Sequence, residues 1–196
     1  MADIDALRTD LTRHPSERDE TQLVPIVLPP ALLQLNWPGP IVQIGRLPFV
    51  AAWAVLGEDN MMTYVNGELA AYWENAGIDW RAKALDNLMR MTGSRPASHQ
   101  KVDEGGRPLM QIMLHEDGVG PSRLLLPHLF DDTLGPDYQV AIPERTCAIA
   151  YRADLTPEQK ADVDGAVEGC FTRGTEPMSA DRFDASLFWV PLQAGG

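Results

Sequence analysis

Hydrophobic residues follow one another without interruption in FVAAWAVLG, residues 49–57, before the pattern changes to shorter mixed runs. An uninterrupted apolar run is typical of a strand that other elements cover on both faces. The acidic turn EDN separates it from a second β-rich run, MMTYV, so the two runs are predicted to pair as an antiparallel hairpin. This hairpin is the first predicted part of a sheet.

Two short amphipathic helices are predicted directly after the hairpin. Asn66 is a suitable cap for the first helix, and Gly77 ends it at a position that favours glycine. Its apolar residues have the spacing i, i+3, i+4 and i+7, and they are Leu69, Tyr72, Trp73 and Ala76. Asp79 is the predicted cap of the second helix, whose core-facing residues are Leu85, Leu88 and Met89. A polar loop is expected at residues 93–107.

The C-terminal half contains patterns for further strands and one longer helix. Residues 110–115 alternate as a strand does, and two β-rich runs on either side of a turn at residues 143–146 predict a second hairpin. Thr156 begins the segment TPEQ, which predicts a capped helix that ends at Gly174. The apolar stripe of this helix is Val163, Ala166, Val167, Cys170 and Phe171. Ser122 is expected to cap a short leucine-rich helix, and residues 185–192 are expected to form a last strand.

The order of these elements predicts an α+β fold. Strands and helices do not alternate regularly, so a mostly antiparallel sheet with helices packed on it is favoured over a doubly wound one. A single domain is expected over residues 21–196, after a polar N-terminal segment at residues 1–20 that is predicted to be helical. Six prolines in residues 21–48 predict extended segments and turns that wrap the core.

Charge and composition narrow the classes of partner. Among 196 residues, 28 are Asp or Glu and 16 are Lys or Arg, and the formal net charge is -12. This charge disfavours nucleic acid and anionic membrane surfaces as partners. No apolar run reaches the roughly 18 residues of a membrane span, and the N-terminal residues lack the apolar centre of a secretory signal. We therefore expect a cytoplasmic protein with reduced thiols.

Cysteine and histidine are the residues that an enzyme of this composition would use. A thiolate nucleophile would pair Cys147 or Cys170 with one of four histidines, which are His14, His99, His115 and His128. Both cysteines fall in apolar segments, which favours buried structural thiols, and a disulfide between them stays open. The sequence has no glycine-rich phosphate loop or nucleophile elbow, and we assign no catalytic residue and no cofactor.

Residues 115–132 contain a group of candidate metal ligands that lie close together in sequence. Imidazole and carboxylate groups suit a divalent ion, and the candidates are His115, Glu116, Asp117, His128, Asp131 and Asp132. The alternative function is therefore a small metal-dependent hydrolase that uses this neighbourhood. Solvated turn residues are the simpler interpretation of the same pattern, because adjacent carboxylates on a strand point in opposite directions.

Aromatic residues suggest the leading hypothesis, an acidic protein-interaction module without enzymatic activity. Trp53, Trp73 and Tyr64 lie in apolar segments where a packed core is expected. Trp37 and Trp80 are flanked by polar or acidic residues and are the candidate anchors for a partner protein, with a basic surface as the natural complement to the charge.

Three segments of the chain together resemble the YtpQ-like bacterial family, a domain of unknown function. The segments are the hairpin with its two helices, PSRLLLPHLF, and YQVAIPERTCAIAYR, and their order agrees with the family pattern over about residues 40–175. The family pattern VAVPSRD has a serine and an aspartate where this chain has Glu144 and Thr146. The resemblance implies no established activity.

Overall fold

Two antiparallel sheets form the framework of the fold, which the computed structural model describes at residues 20–34, 37–57 and 61–189. The first sheet contains β1 (Leu23–Leu28), β2 (Ile41–Gln43), β3 (Val50–Leu56) and β4 (Met62–Tyr64). The second contains β5 (His99–Val102), β6 (Pro108–Leu114), β7 (Gln139–Glu144), β8 (Cys147–Tyr151) and β9 (Phe183–Asp184). The helices are α1 (Gly67–Asn75), α2 (Trp80–Thr92), α3 (Asp131–Leu134) and α4 (Pro157–Arg173). The predicted α+β class is confirmed.

Strand β3 is the centre of the first sheet. It pairs with β1 from Val50 to Val55, while β2 and β4 share its other edge, so the predicted hairpin of β3 and β4 is confirmed. All six residues of β1 are buried, which corrects the prediction that residues 21–48 only wrap the core. Pro25 lacks an N–H group and is tolerated because β1 lies at the end of the strand order.

One hydrophobic core fills the space between the two sheets. Trp53 and Val27 from the first sheet belong to the same buried cluster as Val140 and Ala148 from the second. The alternate residues of β3, such as Ala52, pack instead in a second cluster on the opposite face of the first sheet. Strand β3 is therefore covered on both faces, as its uninterrupted apolar sequence predicts.

Helices α1 and α2 begin at the predicted caps. Asn66 Oδ1 accepts a hydrogen bond from the Leu69 N–H at 2.8 Å, and Asp79 Oδ1 accepts one from the Ala82 N–H at 3.1 Å. Three of the predicted core-facing residues are wrong, because Tyr72 is 37% exposed, Met89 is 58% exposed and Ala76 is also exposed.

The orientation of α2 follows from a buried polar residue that the apolar pattern does not indicate. The Asn87 amide donates hydrogen bonds to the backbone oxygens of Glu20 and Leu23, each at 2.8 Å. These bonds hold Asn87 against the start of β1. Met89 lies two residues further along the helix, on the opposite side, and is therefore exposed. A hydrogen-bonded polar group thus takes a position that hydrophobic spacing alone would leave to an apolar residue.

Helix α4 covers the outer face of the second sheet. Thr156 and Gln159 form the predicted capping box, with the Gln159 N–H donating to Thr156 Oγ1 at 3.3 Å. Val163 and Val167 are buried in a cluster with Ile149 of β8. The second hairpin, β7 and β8, is also confirmed.

Three local predictions in the C-terminal half are wrong. Ser122 caps no helix, because its hydroxyl accepts a hydrogen bond from the Val27 N–H at 3.3 Å and joins the 3₁₀ helix Pro121–Leu125 to β1. The expected polar loop at residues 93–107 contains strand β5. The expected last strand begins instead as the 3₁₀ helix Ala185–Phe188, which Asp184 caps.

The predicted N-terminal helix at residues 1–20 lies almost wholly outside the described residues. Among the helices that the structure does describe, none is both long enough and apolar enough to cross a membrane.

Candidate functional site

A cleft of about 360 Å³ lies where elements of the two sheets meet, and we call it the seam cleft. Its walls are Leu28, Pro29, Trp37, Tyr64, Arg145, Glu176, Pro177 and Met178. The volume lies within the range of ligand-binding clefts, and a mainly apolar lining with a few polar groups is typical of them. The seam cleft is therefore the candidate functional site.

Two aromatic rings form one corner of the seam cleft. Trp37 and Tyr64 meet edge to face, with ring centroids 5.0 Å apart and planes at 81°. The chain after Trp37 is held close to α1, since the Gly67 N–H donates to the Pro38 oxygen at 3.0 Å. Gly39 permits this approach, because a Cβ atom there would lie only 1.9 Å from the Val65 oxygen.

An ion pair forms the polar wall of the seam cleft. Arg145 Nε lies 2.5 Å from Glu176 Oε2, and the Arg145 backbone N–H donates to the Glu176 oxygen at 3.1 Å. The Met178 N–H also donates to the Pro143 oxygen at 3.0 Å. The segment that follows α4 is thereby hydrogen-bonded beside the end of β7, which brings Glu176 and Met178 to the cleft.

Two hydrogen-bond donors of the cleft-lining residues have no acceptor within the described part of the chain. They are Nε1 of Trp37 and Nη1 of Arg145, and both atoms are buried. A buried donor without an acceptor destabilises a protein by about 1–3 kcal/mol. Burial raises the pKa of Tyr64, Arg145 lowers it and Glu176 raises it, and the net shift is upward. The phenol therefore stays neutral at physiological pH.

The predicted metal ligands are held by separate interactions. His115 Nε2 lies 3.2 Å from the Pro96 oxygen, Asp117 pairs with Arg123 at 2.6 Å, and His128 Nδ1 lies 2.7 Å from Asp131 Oδ2. Glu116 and Asp132 are exposed. Within residues 20–34, 37–57 and 61–189, no three His, Cys, Asp or Glu side chains are grouped closely enough to hold one metal ion.

The candidate pairs of cysteine and histidine are placed with other partners. His99 Nδ1 lies 2.9 Å from the Ser98 hydroxyl, and the His128 ring lies tilted against the Trp189 ring with centroids 4.6 Å apart. Cys147 and Cys170 are both free thiols and belong to the same apolar cluster under α4. His14 lies outside the described residues.

The two tryptophans that were predicted to bind a partner lie in different environments. Trp80 is 1% exposed, meets Trp53 edge to face at 5.2 Å, and has the Arg81 guanidinium 4.0 Å above its ring, so its prediction as a partner anchor is wrong. The cap at Asp79 places Trp80 in the first turn of α2, directed into the core. Trp37 is partly buried and lines the seam cleft.

Sequence reasoning missed Arg145, Glu176 and Tyr64 as neighbours of Trp37. These residues come from distant parts of the chain, and no spacing in the sequence brings them together. The nearest signal was the sequence PER at residues 143–145, which predicted a turn but gave no reason to place a cationic side chain beside an aromatic one.

Comparisons with models of known protein families, with curated proteins and with solved structures find no match to this chain. The resemblance to the YtpQ-like family therefore stays a prediction, and the seam cleft has to be interpreted from its own chemistry.

Alkaline pH is expected to destabilise the fold. Burial, together with the Cys170 thiol, raises the pKa of Cys147 to about 12, and burial raises the pKa of Tyr64, Tyr138 and Tyr151. The ordinary pKa values are 9.0 for the thiol and 10.0 for the phenols. Above about pH 9 the unfolded chain therefore binds fewer protons than the folded one, and the free energy of unfolding falls as pH rises.

The midpoint of urea unfolding, measured by circular dichroism, should thus stay constant to about pH 8.5 and decrease steadily above about pH 9. A Cys147→Ala variant is the control, because it removes the group whose ordinary pKa is lowest and should flatten the first part of the decrease. Equal midpoints for the parent protein at about pH 7.5 and about pH 10.5 would contradict the prediction.

Proposed function

We propose that the protein is a cytoplasmic interaction module without enzymatic activity, and that it binds an extended segment of a partner protein in the seam cleft. The observation that carries this proposal is the combination of an aromatic corner and an ion pair in the walls of one cleft. Apolar ring faces bind side chains by contact, while N–H donors bind backbone carbonyl oxygens.

The chemistry of the cleft favours a segment that contains proline. A polyproline II segment keeps its carbonyl groups free of internal hydrogen bonds, and its rings pack on grooves lined by aromatic side chains. Trp37 and Tyr64 offer such a corner, and Trp37 Nε1 and Arg145 Nη1 are buried donors without an acceptor in the described residues, which side-chain movement on binding would expose. The ion pair with Glu176 offsets the charge of Arg145, so a neutral carbonyl is a better ligand there than a free carboxylate.

The overall charge favours basic residues next to that segment. A formal charge of -12 attracts a basic partner and raises the rate of association, and this effect weakens as salt is added. The proposed partner segment is therefore proline-rich and flanked by arginine or lysine.

Replacing Trp37 by alanine is expected to weaken binding of a synthetic arginine-flanked proline peptide at least about ten-fold, because the alanine variant loses both the ring face and the donor. Trp37→Phe keeps a ring and removes only the Nε1–H donor, so its loss should be about two- to ten-fold. Titration calorimetry at low salt measures both dissociation constants.

Met89→Ala is the matched control for this measurement, because Met89 is a large exposed apolar residue outside the cleft. It should leave the dissociation constant unchanged. The same peptide with alanine in place of each proline should bind weakly or not at all. Equal affinities for the parent protein and Trp37→Ala would remove the seam cleft as the docking site.

Capture from a cell extract tests the interaction independently of the peptide class. A partner protein retained by the parent chain and by Met89→Ala, but lost with Trp37→Ala, should be purified and titrated. If such a partner binds without a proline-rich segment, the interaction role stands and the ligand class is wrong. A partner retained equally by all three chains would contradict docking at Trp37.

A further inference from the structure

We propose that Cys147 and Cys170 are a redox modification site, at which a reversible disulfide joins strand β8 to the last turns of helix α4. They are the only two cysteines of the chain, and both are reduced in the structure. The two residues lie on different elements and face the same apolar cluster, since Cys170 packs against the buried group that contains Cys147.

The end of α4 is fixed against the turn that leads into β8. The Gly174 N–H donates to the Cys170 oxygen at 2.8 Å, and a Cβ atom on Gly174 would lie 2.5 Å from Glu144 Cγ. The Glu144 carboxylate in turn accepts hydrogen bonds from the Thr146 N–H at 2.7 Å and from its hydroxyl at 2.5 Å. The backbone on both sides of the two thiols is therefore anchored.

The two thiols belong to one apolar cluster between β8 and α4, but their access to solvent differs. Cys147 is 3% exposed, and burial together with the neighbouring Cys170 thiol raises the pKa of Cys147 to about 12. Cys170 is only partly buried. A soluble oxidant therefore reaches Cys170 first, and Cys147 is the second, resolving thiol, whose attack is slow near pH 7 and faster at higher pH because its raised pKa keeps it protonated.

The oxidant in this scheme is a hydroperoxide, and the reaction has two steps. The sulfur of Cys170 attacks the O–O bond, which breaks to give a sulfenic acid and a hydroxide ion that leaves as water. The Cys147 sulfur then attacks the Cys170 sulfur, so that an S–S bond forms, the S–O bond breaks and a second water leaves. Two thiols lose two electrons and two protons, and one hydrogen peroxide becomes two water molecules.

The site adjoins the polar wall of the seam cleft. Arg145 precedes Cys147 by two residues, and Glu176 follows Cys170 by six, so a disulfide would fix the segments that carry both members of the ion pair. A change in peptide affinity on oxidation is therefore expected. This consequence rests on the proposed function, whereas formation of the disulfide does not.

Hydrogen peroxide in small excess, added to the reduced full-length protein under native conditions, tests the proposal. We expect the intact mass to fall by about 2 Da, the titratable thiols to fall from two to none, and a peptide map to show Cys147 linked to Cys170 within a monomer. Dithiothreitol should restore both thiols. Formation of a dimer, over-oxidation of Cys170 to sulfinic acid, or survival of both thiols would overturn the proposal.

Two single variants check the assigned order of reaction. Cys147→Ala should accumulate a sulfenic acid on Cys170 that dimedone traps, whereas Cys170→Ser should leave Cys147 unmodified over the same time. Each variant first has to show the far-ultraviolet circular dichroism of the parent protein. Trapping at Cys147 in the Cys170→Ser variant at the parent rate would contradict the assigned roles.

Peptide titration of the reduced and oxidised parent protein gives the separate readout for the cleft. If the disulfide forms and the peptide affinity does not change, the modification site is supported, but its coupling to the cleft is wrong. If the disulfide forms but neither the reduced nor the oxidised protein binds the proline peptide, the result contradicts only the proposed function.

Discussion

Replacing Trp80 by alanine is expected to lower the free energy of unfolding by about 3–5 kcal/mol. The side chain is 1% exposed and lies between Trp53 and Trp73, with ring centroids 5.2 Å and 6.1 Å away. Its Nε1–H donates to Glu74 Oε1 at 3.3 Å, and Arg81 stacks on its face. Truncation would leave a large cavity and remove these contacts together. Urea unfolding followed by far-ultraviolet circular dichroism measures the change without relying on tryptophan fluorescence.

Trp37→Ala is the matched control for this experiment. Trp37 is only partly buried, so its truncation should destabilise the fold clearly less than that of Trp80 while weakening peptide binding more. The two variants thus separate a tryptophan of the core from a tryptophan of the cleft. A loss below about 1 kcal/mol for Trp80→Ala would contradict its assignment to the core.

The elements that the sequence predicts correctly depend on short-range signals. Asn66, Asp79 and Thr156 each cap a helix by accepting a hydrogen bond from the backbone N–H group three residues further on, so donor and acceptor lie close together in the sequence. The uninterrupted apolar run of β3 likewise predicts a strand that is buried on both faces. Local chemistry therefore predicts the fold class and most of the elements.

The errors come from contacts between residues that are distant in sequence. Ser122 bonds to Val27, and Asn87 bonds to Leu23, so each polar side chain serves a partner that a local pattern cannot indicate. Trp37 and Trp80 look alike in sequence, yet only the packing of α2 against the first sheet decides which of them is buried. The seam cleft cannot be predicted for the same reason, because strand residues Leu28 and Tyr64 of the first sheet meet Arg145 and residues 176–178, which lie far away in the sequence.

The segment that contains the candidate metal ligands has a structural role that the sequence does not indicate. Asp117 Oδ2 lies 2.6 Å from Arg123 Nη2, and Asp117 Oδ1 accepts hydrogen bonds from Arg123 Nη1 and from the Val119 N–H. The Arg123 side chain is only 2% exposed, so this carboxylate neutralises a buried cation. Asp117 therefore forms an ion pair with a buried arginine, which is a structural role.

Asp117→Asn is accordingly expected to lower the free energy of unfolding by about 3–5 kcal/mol, because Arg123 would stay buried and lose its counter-charge. Burial raises the pKa of Asp117, but the hydrogen bonds from Arg123 and Val119 outweigh this effect and the net pKa is lowered. A lowered carboxyl pKa stabilises the fold above its ordinary value of 3.8, and this stabilisation is lost as pH falls through the folded pKa. Urea unfolding at about pH 7 and about pH 3.5 should show that the variant loses less on acidification than the parent protein does.

The double variant Asp117→Asn with Arg123→Met decides whether the loss comes from the unpaired cation. Methionine fills much of the same volume without charge, so the double variant should recover a large part of the stability that Asp117→Asn loses. The single variant Arg123→Met should be less damaging than Asp117→Asn, because Asp117 is 26% exposed and can be hydrated when its partner is removed. If the double variant is instead less stable than either single variant, the pair contributes through packing and hydrogen bonds to the Val119 backbone, and the argument from a buried charge is wrong.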